Sequence, residues 1–268
     1  MFADKYGPWA LVAGASDGVG AAFAEALAER GVNLVLLARR QPVLDEVADG
    51  IRSRTGAQTR TLAIDLAEDS AAARIAEATA DLEIGTLVYC AGADPHYAPF
   101  LASPLSAAEA MVQRNCVAPM RLCHRFAAPM VARGRGAIVL FGSGAGFAGA
   151  PNMVAYGASK AFDMVFAEAL WAELHPAGVD VIGLILGKTD TPALRALEHA
   201  RGVLSSLQDA PVDAATADEV VAEALDNLGN GPTVLVGDVM KAAAQMLGAM
   251  PRKQAVELLT AAGAATMG

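Results

Sequence analysis

Seven short apolar runs recur along the chain, each separated from the next by a longer stretch of helical period. That alternation restricts the fold more than any other feature. The runs are "WALVAG" (9–14), "VNLVLLA" (32–38), "TRTLAI" (59–64), "TLVYCA" (86–91), "GAIVLF" (136–141), "VDVIGLIL" (179–186) and "PTVLVG" (232–237). They are nearly continuous in hydrophobicity, as strands covered on both faces must be. The segments between them are amphipathic. Residues 19–30, for example, bring Val19, Phe23, Ala26 and Leu27 to a helical stretch that Gly31 is well placed to end. Alternation of this length predicts right-handed βαβ units and an open, doubly wound, seven-stranded parallel sheet with helices on both faces. No repeat, low-complexity linker or composition shift divides the chain, so residues 1–268 are expected to form one domain. Two parts look less regular: 188–212, and a tail from about 238 to 268.

Composition narrows the function classes. More than half of the 268 residues are apolar, only 5% are aromatic, and the net charge is −9. Such a charge argues against nucleic acid or an anionic membrane surface as partner. No window holds about eighteen uninterrupted apolar residues, so no ordinary membrane span is expected. The start, "MFADKYGPWALV", lacks a basic region followed by an apolar run, which argues against a secretory signal. Cys90, Cys116 and Cys123 are odd in number and lack metal-ligand spacing, and His96, His124, His175 and His199 are scattered. A reduced, cytoplasmic setting and no structural metal are the economical expectation.

"AGASDGVG" (13–20) follows the first strand directly and opens the first long helix. Gly14, Gly18 and Gly20 permit a tight turn and close approach of a pyrophosphate, which the free N–H groups of a helix N-terminus attract. Ser16, Asp17 and Val19 share that turn. In a chain with 26 glycines the pattern alone is weak; its position between strand and helix is what points to a dinucleotide and a Rossmann-like sheet.

The Gly-x-x-x-Gly-x-Gly spacing resembles the short-chain dehydrogenase/reductase family, and the resemblance extends over about residues 8–236. It implies further cofactor contacts. Where members using NAD carry an acid at the end of the second strand, this chain has Ala38, then Arg39 and Arg40. Two guanidiniums in place of a carboxylate suit a 2′-phosphate, so NADP is favoured over NAD; the plain alternative is a solvated arginine pair. Asp17 stands where many NADP-using members are basic, and it could equally serve the helix N-terminus. Asp65 and Leu66 match the family's adenine contact, although an Asp ending a strand is also a common helix cap. Ala91 and Gly92 keep half of the family's Asn-Asn-Ala-Gly. Gly187, Thr189 and Thr191 occupy the loop that in the family faces the nicotinamide, without its usual proline.

The resemblance also supplies a catalytic set in the right order. Asn115 lies in "MVQRNCVAP", within the helix before the fifth strand; Ser143 ends that strand; Tyr156 and Lys160 begin a helix over 153–175. The chemistry accounts for the residue types. A ketone that receives hydride needs a proton as charge develops on its oxygen. A free phenol has a pKa of about 10, and an ammonium one helical turn away favours the phenolate. By resemblance Tyr156 is the acid or base, Lys160 also binds ribose hydroxyls, Ser143 bonds the reacting oxygen, and Asn115 holds a water. Taken singly, each has a plain structural reading: a helix interruption, a loop hydroxyl, a core ring with a wet tip.

"DGVG", "LEIGTLV" and "YGASKAF" resemble the branch of 17β-hydroxysteroid dehydrogenases and very-long-chain 3-oxoacyl-CoA reductases. The branch implies an oxidoreductase acting on a bulky apolar ketone or secondary alcohol, steroid-like or long-chain acyl, and assembled as a homodimer or homotetramer. Loops 93–103, with His96, Tyr97 and Phe100, and 192–207, with Leu194, Leu197 and Leu204, are expected to line the substrate pocket. The tail could cover the pocket, contact a second subunit or lie at an interface. Two rivals remain at this point: a non-catalytic NADP-binding regulator on the same fold, and an epimerase or dehydratase relative.

Overall fold

The computed structural model describes residues 1–93 and 97–267, the last five of these by backbone alone; His96 lies outside the described residues. The chain runs α1 (Phe2–Tyr6), β1 (Trp9–Ala13), α2 (Gly18–Glu29), β2 (Asn33–Ala38), α3 (Gln41–Thr55), β3 (Thr59–Ala63), α4 (Ala71–Ala78) and β4 (Ile84–Tyr89). It continues through α5 (Leu105–Val112), α6 (Ala118–Arg133), β5 (Gly136–Ser143), α7 (Val154–Leu174), β6 (Val179–Leu186), α8 (Pro192–Ala200) and α9 (Ala217–Asp226). β7 (Thr233–Leu235), α10 (Gly237–Gly248) and α11 (Arg252–Met267) complete it. Each of the seven apolar runs overlaps one strand. The stretch 188–212 carries α8, and the tail from 238 carries two helices.

All strand pairs are parallel, in the order β3-β2-β1-β4-β5-β6-β7. The chain moves outward from β1 to β3 and then returns to set β4 beside β1. Connections therefore leave β1 and β4 in opposite directions, and a crevice opens at their carboxyl ends. Side-chain alternation divides the core into two. Ala10 and Val12 of β1 join Phe23, Leu27, Leu44 and Ile51 on one face of the sheet. Leu11 and Ala13 join Ile75, Leu122, Phe126 and Met130 on the other. Burial on both faces is why the inner strands are apolar at nearly every position, whereas the edge strand β3 is only partly buried and carries Thr59, Arg60 and Thr61.

Two of the shifts between strand boundaries and apolar runs have a steric reason. β4 begins at Ile84, earlier than its run, because Gly85 lets α1 press against it: a Cβ there would lie 2.2 Å from the Gly7 carbonyl oxygen. β5 extends through Gly142 to Ser143, and a Cβ at Gly142 would lie 2.6 Å from Ile185 Cδ1. Among the described residues no helix is long and apolar enough to cross a membrane.

The N-terminus is fixed by a buried acid. Asp180, near the start of β6, is 4% exposed; it accepts a 2.8 Å hydrogen bond from the Tyr6 hydroxyl and pairs with Lys5 at 2.6 Å. Removing one donor from a buried carboxylate costs about 1–3 kcal/mol. Tyr6→Phe is therefore expected to lower the urea midpoint of unfolding by a corresponding amount with an unchanged denaturant slope.

Candidate active site

The glycine turn is tight because three backbone segments meet there. Gly14 N and Ala15 N both donate to the Leu37 carbonyl, at 2.8 and 3.0 Å, which anchors the turn to β2. Gly14 and Gly18 have φ of +87° and +50°, conformations that a side chain disfavours. A Cβ on Gly20 would sit 2.1 Å from the Gly14 oxygen, and one on Gly14 would sit 3.0 Å from Ala91 N. The turn thus touches the Ala91-Gly92 exit of β4 directly. The first-turn N–H groups of Val19 and Gly20 have no intrahelical carbonyl to bond. Asp17 caps α2, its carboxylate accepting from Gly18 N at 2.6 Å. Val19 is nearly buried, and Ser16 is half-buried.

At the other end of the crevice Arg39 and Arg40 are exposed at the end of β2, and neither guanidinium has an ion pair or hydrogen bond among the described residues. Asp65 accepts from Ala67 N at 3.0 Å, so its side chain shapes the turn after β3, and Leu66 is buried in the core. A glycine cradle that a Cβ would fill, free N–H groups beside it and two unpaired cations beyond it together fit an extended dinucleotide with an additional phosphate.

Asn115 lies in a π-helical turn, Gln113–Val117, that joins α5 to α6, rather than in an unbroken helix as its sequence context suggests. Pro119 supplies the reason: it has no N–H for the carbonyl four residues back, that of Asn115, so the ladder shifts by one residue there. The turn pushes the Asn115 side chain inward, where it is 1% exposed. Its Nδ2 donates to Ser159 Oγ at 2.9 Å and to the Gly92 oxygen at 3.4 Å, while its Oδ1 is buried with no partner. Ser159 Oγ in turn donates to the Tyr156 carbonyl at 2.8 Å. Asn115 is therefore tied both to the β4 exit and to the first turns of α7.

Ser143 ends β5, and its Oγ accepts from Ala145 N at 3.2 Å, shaping the turn Gly144–Gly146. That turn lies directly on α7. A Cβ on Gly146 would be 2.8 Å from Lys160 C, and one on Gly157 would be 2.9 Å from the Ala145 oxygen. Only glycines allow the serine loop and the Tyr156 turn to approach so closely. Lys160 Nζ sits 5.9 Å from the Tyr156 ring centroid. It donates to the Phe141 carbonyl at 2.6 Å and to Asp163 Oδ2 at 3.0 Å. Burial pushes the Asp163 carboxyl up to about 6 against the opposing pull of the Lys160 ammonium. Asn115, the Ser143 loop, Tyr156 and Lys160 are thus gathered at the carboxyl end of the sheet.

The loop after β6 closes on this region. The methyl of Thr191 lies beside Gly18, where an added Cβ would meet it at 2.9 Å; its hydroxyl accepts from Leu194 N and caps α8. Thr189 pairs as a short bridge with Ala215. Gly187 and Gly144 both rest on Met240 of α10, whose Sδ would lie 2.9 Å from a Cβ on Gly144. Tyr97 meets Arg201 across the opening, ring centroid to guanidinium 5.0 Å, so the loops after β4 and α8 touch. Leu194 and Leu197 are half-buried and Phe100 is 44% exposed, whereas Leu204 is buried in packing. Asp163, Ser159 and Met240 were not among the residues the sequence singled out. An acid three places after the lysine on an apolar helix is a signal for the first; the other two carry none.

The buried Asn115–Ser159 contact generates a stability prediction. Ser159→Ala leaves Asn115 Nδ2 with only its long bond to Gly92, at a cost of about 1–3 kcal/mol. Ser143→Ala, at a partly exposed loop, is expected to cost less in the same urea unfolding measurement.

Known proteins resemble this chain over most of its length. The family model for short chain dehydrogenase matches residues 8–202. The chain is 34% identical to a 7beta-hydroxysteroid dehydrogenase of Collinsella aerofaciens over 240 residues, 87% of this chain and 88% of that protein. It is 38% identical over 182 residues to a very-long-chain 3-oxoacyl-CoA reductase of Podospora anserina, of which it spans about half, 53%. A solved 7beta-hydroxysteroid dehydrogenase structure superposes with a TM-score of 0.87 at 30% identity, over 96% of this chain and 98% of that one. A short-chain dehydrogenase from Sphingobium yanoikuyae in complex with NADPH superposes at 0.75 and 30% identity, over 92% and 97%. The chain belongs to the short-chain dehydrogenase/reductase family of oxidoreductases.

Proposed function

We propose that this protein interconverts a ketone and a secondary alcohol on a bulky apolar substrate, steroid-like or long-chain acyl, with NADP(H) as hydride carrier. The observation that carries the reading is the contact of the Ser143 loop with α7 at Gly157 and Lys160, beside Tyr156 and above the Asn115–Ser159 bond. Names of the relatives support the substrate class. The exposed, unpaired Arg39 and Arg40 support the 2′-phosphate, as does the NADPH complex of the Sphingobium relative.

The nicotinamide, when bound, supplies the hydride in reduction and takes it up in oxidation. Ser143 Oγ orients the reacting oxygen by a hydrogen bond, and Tyr156 delivers the proton that the oxygen needs as charge develops on it. The Lys160 ammonium, 5.9 Å from the centre of the Tyr156 ring, is an opposite charge beside the phenolate that this transfer leaves. The unpartnered Asn115 Oδ1 is a ready acceptor for a water that returns the proton from solvent. Gly14, Ser16, Asp17, Gly18, Val19 and Gly20 cradle the pyrophosphate, Asp65 and Leu66 border the adenine, Ala91 and Gly92 back the crevice, and Gly187, Thr189 and Thr191 border the nicotinamide. Three free cysteines support a reducing, cytoplasmic setting. Exposed Val154 and Val165 on α7, with Met120 on α6, support assembly of two or four copies through these helices.

Purified protein is expected to oxidise NADPH stoichiometrically with a bulky ketone, and Tyr156→Phe to lower kcat about 10²–10⁴-fold while cofactor still binds. Unchanged turnover in that variant would remove Tyr156 from the mechanism. Arg39→Ala/Arg40→Ala is expected to raise the KM for NADPH about tenfold or more and to leave NADH kinetics nearly unaltered. Equal effects on both cofactors would show that the pair does not read the phosphate.

A further inference from the structure

Asp163 is a buried acid beside the proposed proton-transfer residues, and the mechanism above gives it no task. Its side chain is 5% exposed and that of Lys160 6%. Their 3.0 Å contact and the 2.6 Å bond from Nζ to Phe141 O together draw two of the three ammonium N–H groups toward β5 and the following turn of α7. Tyr156 lies one turn nearer the N-terminus, its ring centroid 5.9 Å from Nζ. A charge pair inside a protein acts on a third group as a dipole, so the position of the anion decides how much of the cation's field that group feels.

We propose that Asp163 is a positioning residue for Lys160, holding the ammonium inward and offsetting part of its charge at Tyr156. Ionisation of the phenol is then governed by a string of three residues along α7, Tyr156, Lys160 and Asp163. This rests on the reading of Tyr156 as the proton donor. The other titratable groups that act on Asp163 and Lys160 are Tyr89 of β4, Cys116 of the π-helical turn and Cys123 of α6, with Cys90 beside Lys160. Burial raises all four, Cys116 to about 11 and Cys90 to about 12, so they stay neutral through the working range. Arg114 is a further charge that acts on Tyr89. With its carboxyl pushed up to about 6 by burial, Asp163 is ionised above neutral pH.

Seven residues of helix separate Tyr156 from Asp163, a rise of about 10.5 Å. At an effective dielectric of about 20, one charge at that range is worth about one pH unit. The test uses the cofactor-free enzyme. The pH dependence of phenolate ultraviolet absorbance is recorded for the wild type and for Tyr156→Phe, and their difference isolates Tyr156. In the Asp163→Asn background the same difference is expected to rise about one pH unit lower, and Asp163→Glu to restore it toward the wild-type position. Asp163→Ser, a smaller neutral replacement, reads the same displacement if Asp163→Asn does not fold. A midpoint that is unmoved or higher in the neutral variants overturns the role of Asp163, since a purely structural contact alters stability without this displacement. Tyr156→Phe turnover tests the underlying reading separately: an inactive Tyr156→Phe with an unmoved midpoint overturns the inference about Asp163 alone.

Discussion

The approach of Gly20 to the carbonyl of Gly14 governs the site end of the molecule. With only 2.1 Å available where a Cβ would stand, α2 can begin immediately after β1, and its axis is fixed against the sheet. Phe23 and Leu27 then enter the core between β1, β2 and α3, burying the apolar face that stabilises the helix. On the opposite side Gly14 abuts Ala91, and so the same turn sets the spacing of the β1 and β4 exits. The crevice, its N–H donors and the closeness of Thr191 to Gly18 all follow from that single contact. A side chain at Gly20 would displace the helix and, with it, the crevice that the helix borders.

A second constraint is polar. Asn115, Ser159, Lys160 and Asp163 are buried at the join of α5, α6, α7 and β5, in a region otherwise filled by apolar side chains. Buried polar groups need partners, and a charge needs an opposite charge or several dipoles. The π-helical turn meets part of this demand by aiming Asn115 at Ser159 and Gly92, and β5 supplies the Phe141 carbonyl to Lys160. Because each partner belongs to a different element, the hydrogen bonds hold the serine loop, the tyrosine helix and the β4 exit in mutual register. The exception is Asn115 Oδ1, a buried acceptor with no partner among the described residues.

The tail acts on the same region from outside. Met240 of α10 packs against Gly144 and Gly187, so one thioether braces both the loop after Ser143 and the loop after β6. Leu247 and Ala255 close a small cluster over Ala148, and Arg252 donates to the Phe147 carbonyl. α10 and α11 are thereby continuous with the architecture of the site.

Much of this was legible in the amino-acid order, for identifiable reasons. Strands buried on both faces leave apolar runs, and a tight strand-to-helix turn leaves glycines between the two; both are local demands readable in residue order. Tyr156 and Lys160 were legible because one helical turn fixes their spacing, and Ser143 because it ends a strand. Other features depend on which surfaces meet. The extension of β4 to Ile84 follows from α1 pressing on Gly85, and the π-helical turn follows from Pro119 acting within a packed helix pair. The ammonium of Lys160 turns toward Asp163 and Phe141, and Met240 reaches Gly144, only after distant segments are brought together. Residue order thus sets the elements and the candidate site residues, whereas packing selects the buried partner of each charge, because long-range contacts have no period in the sequence.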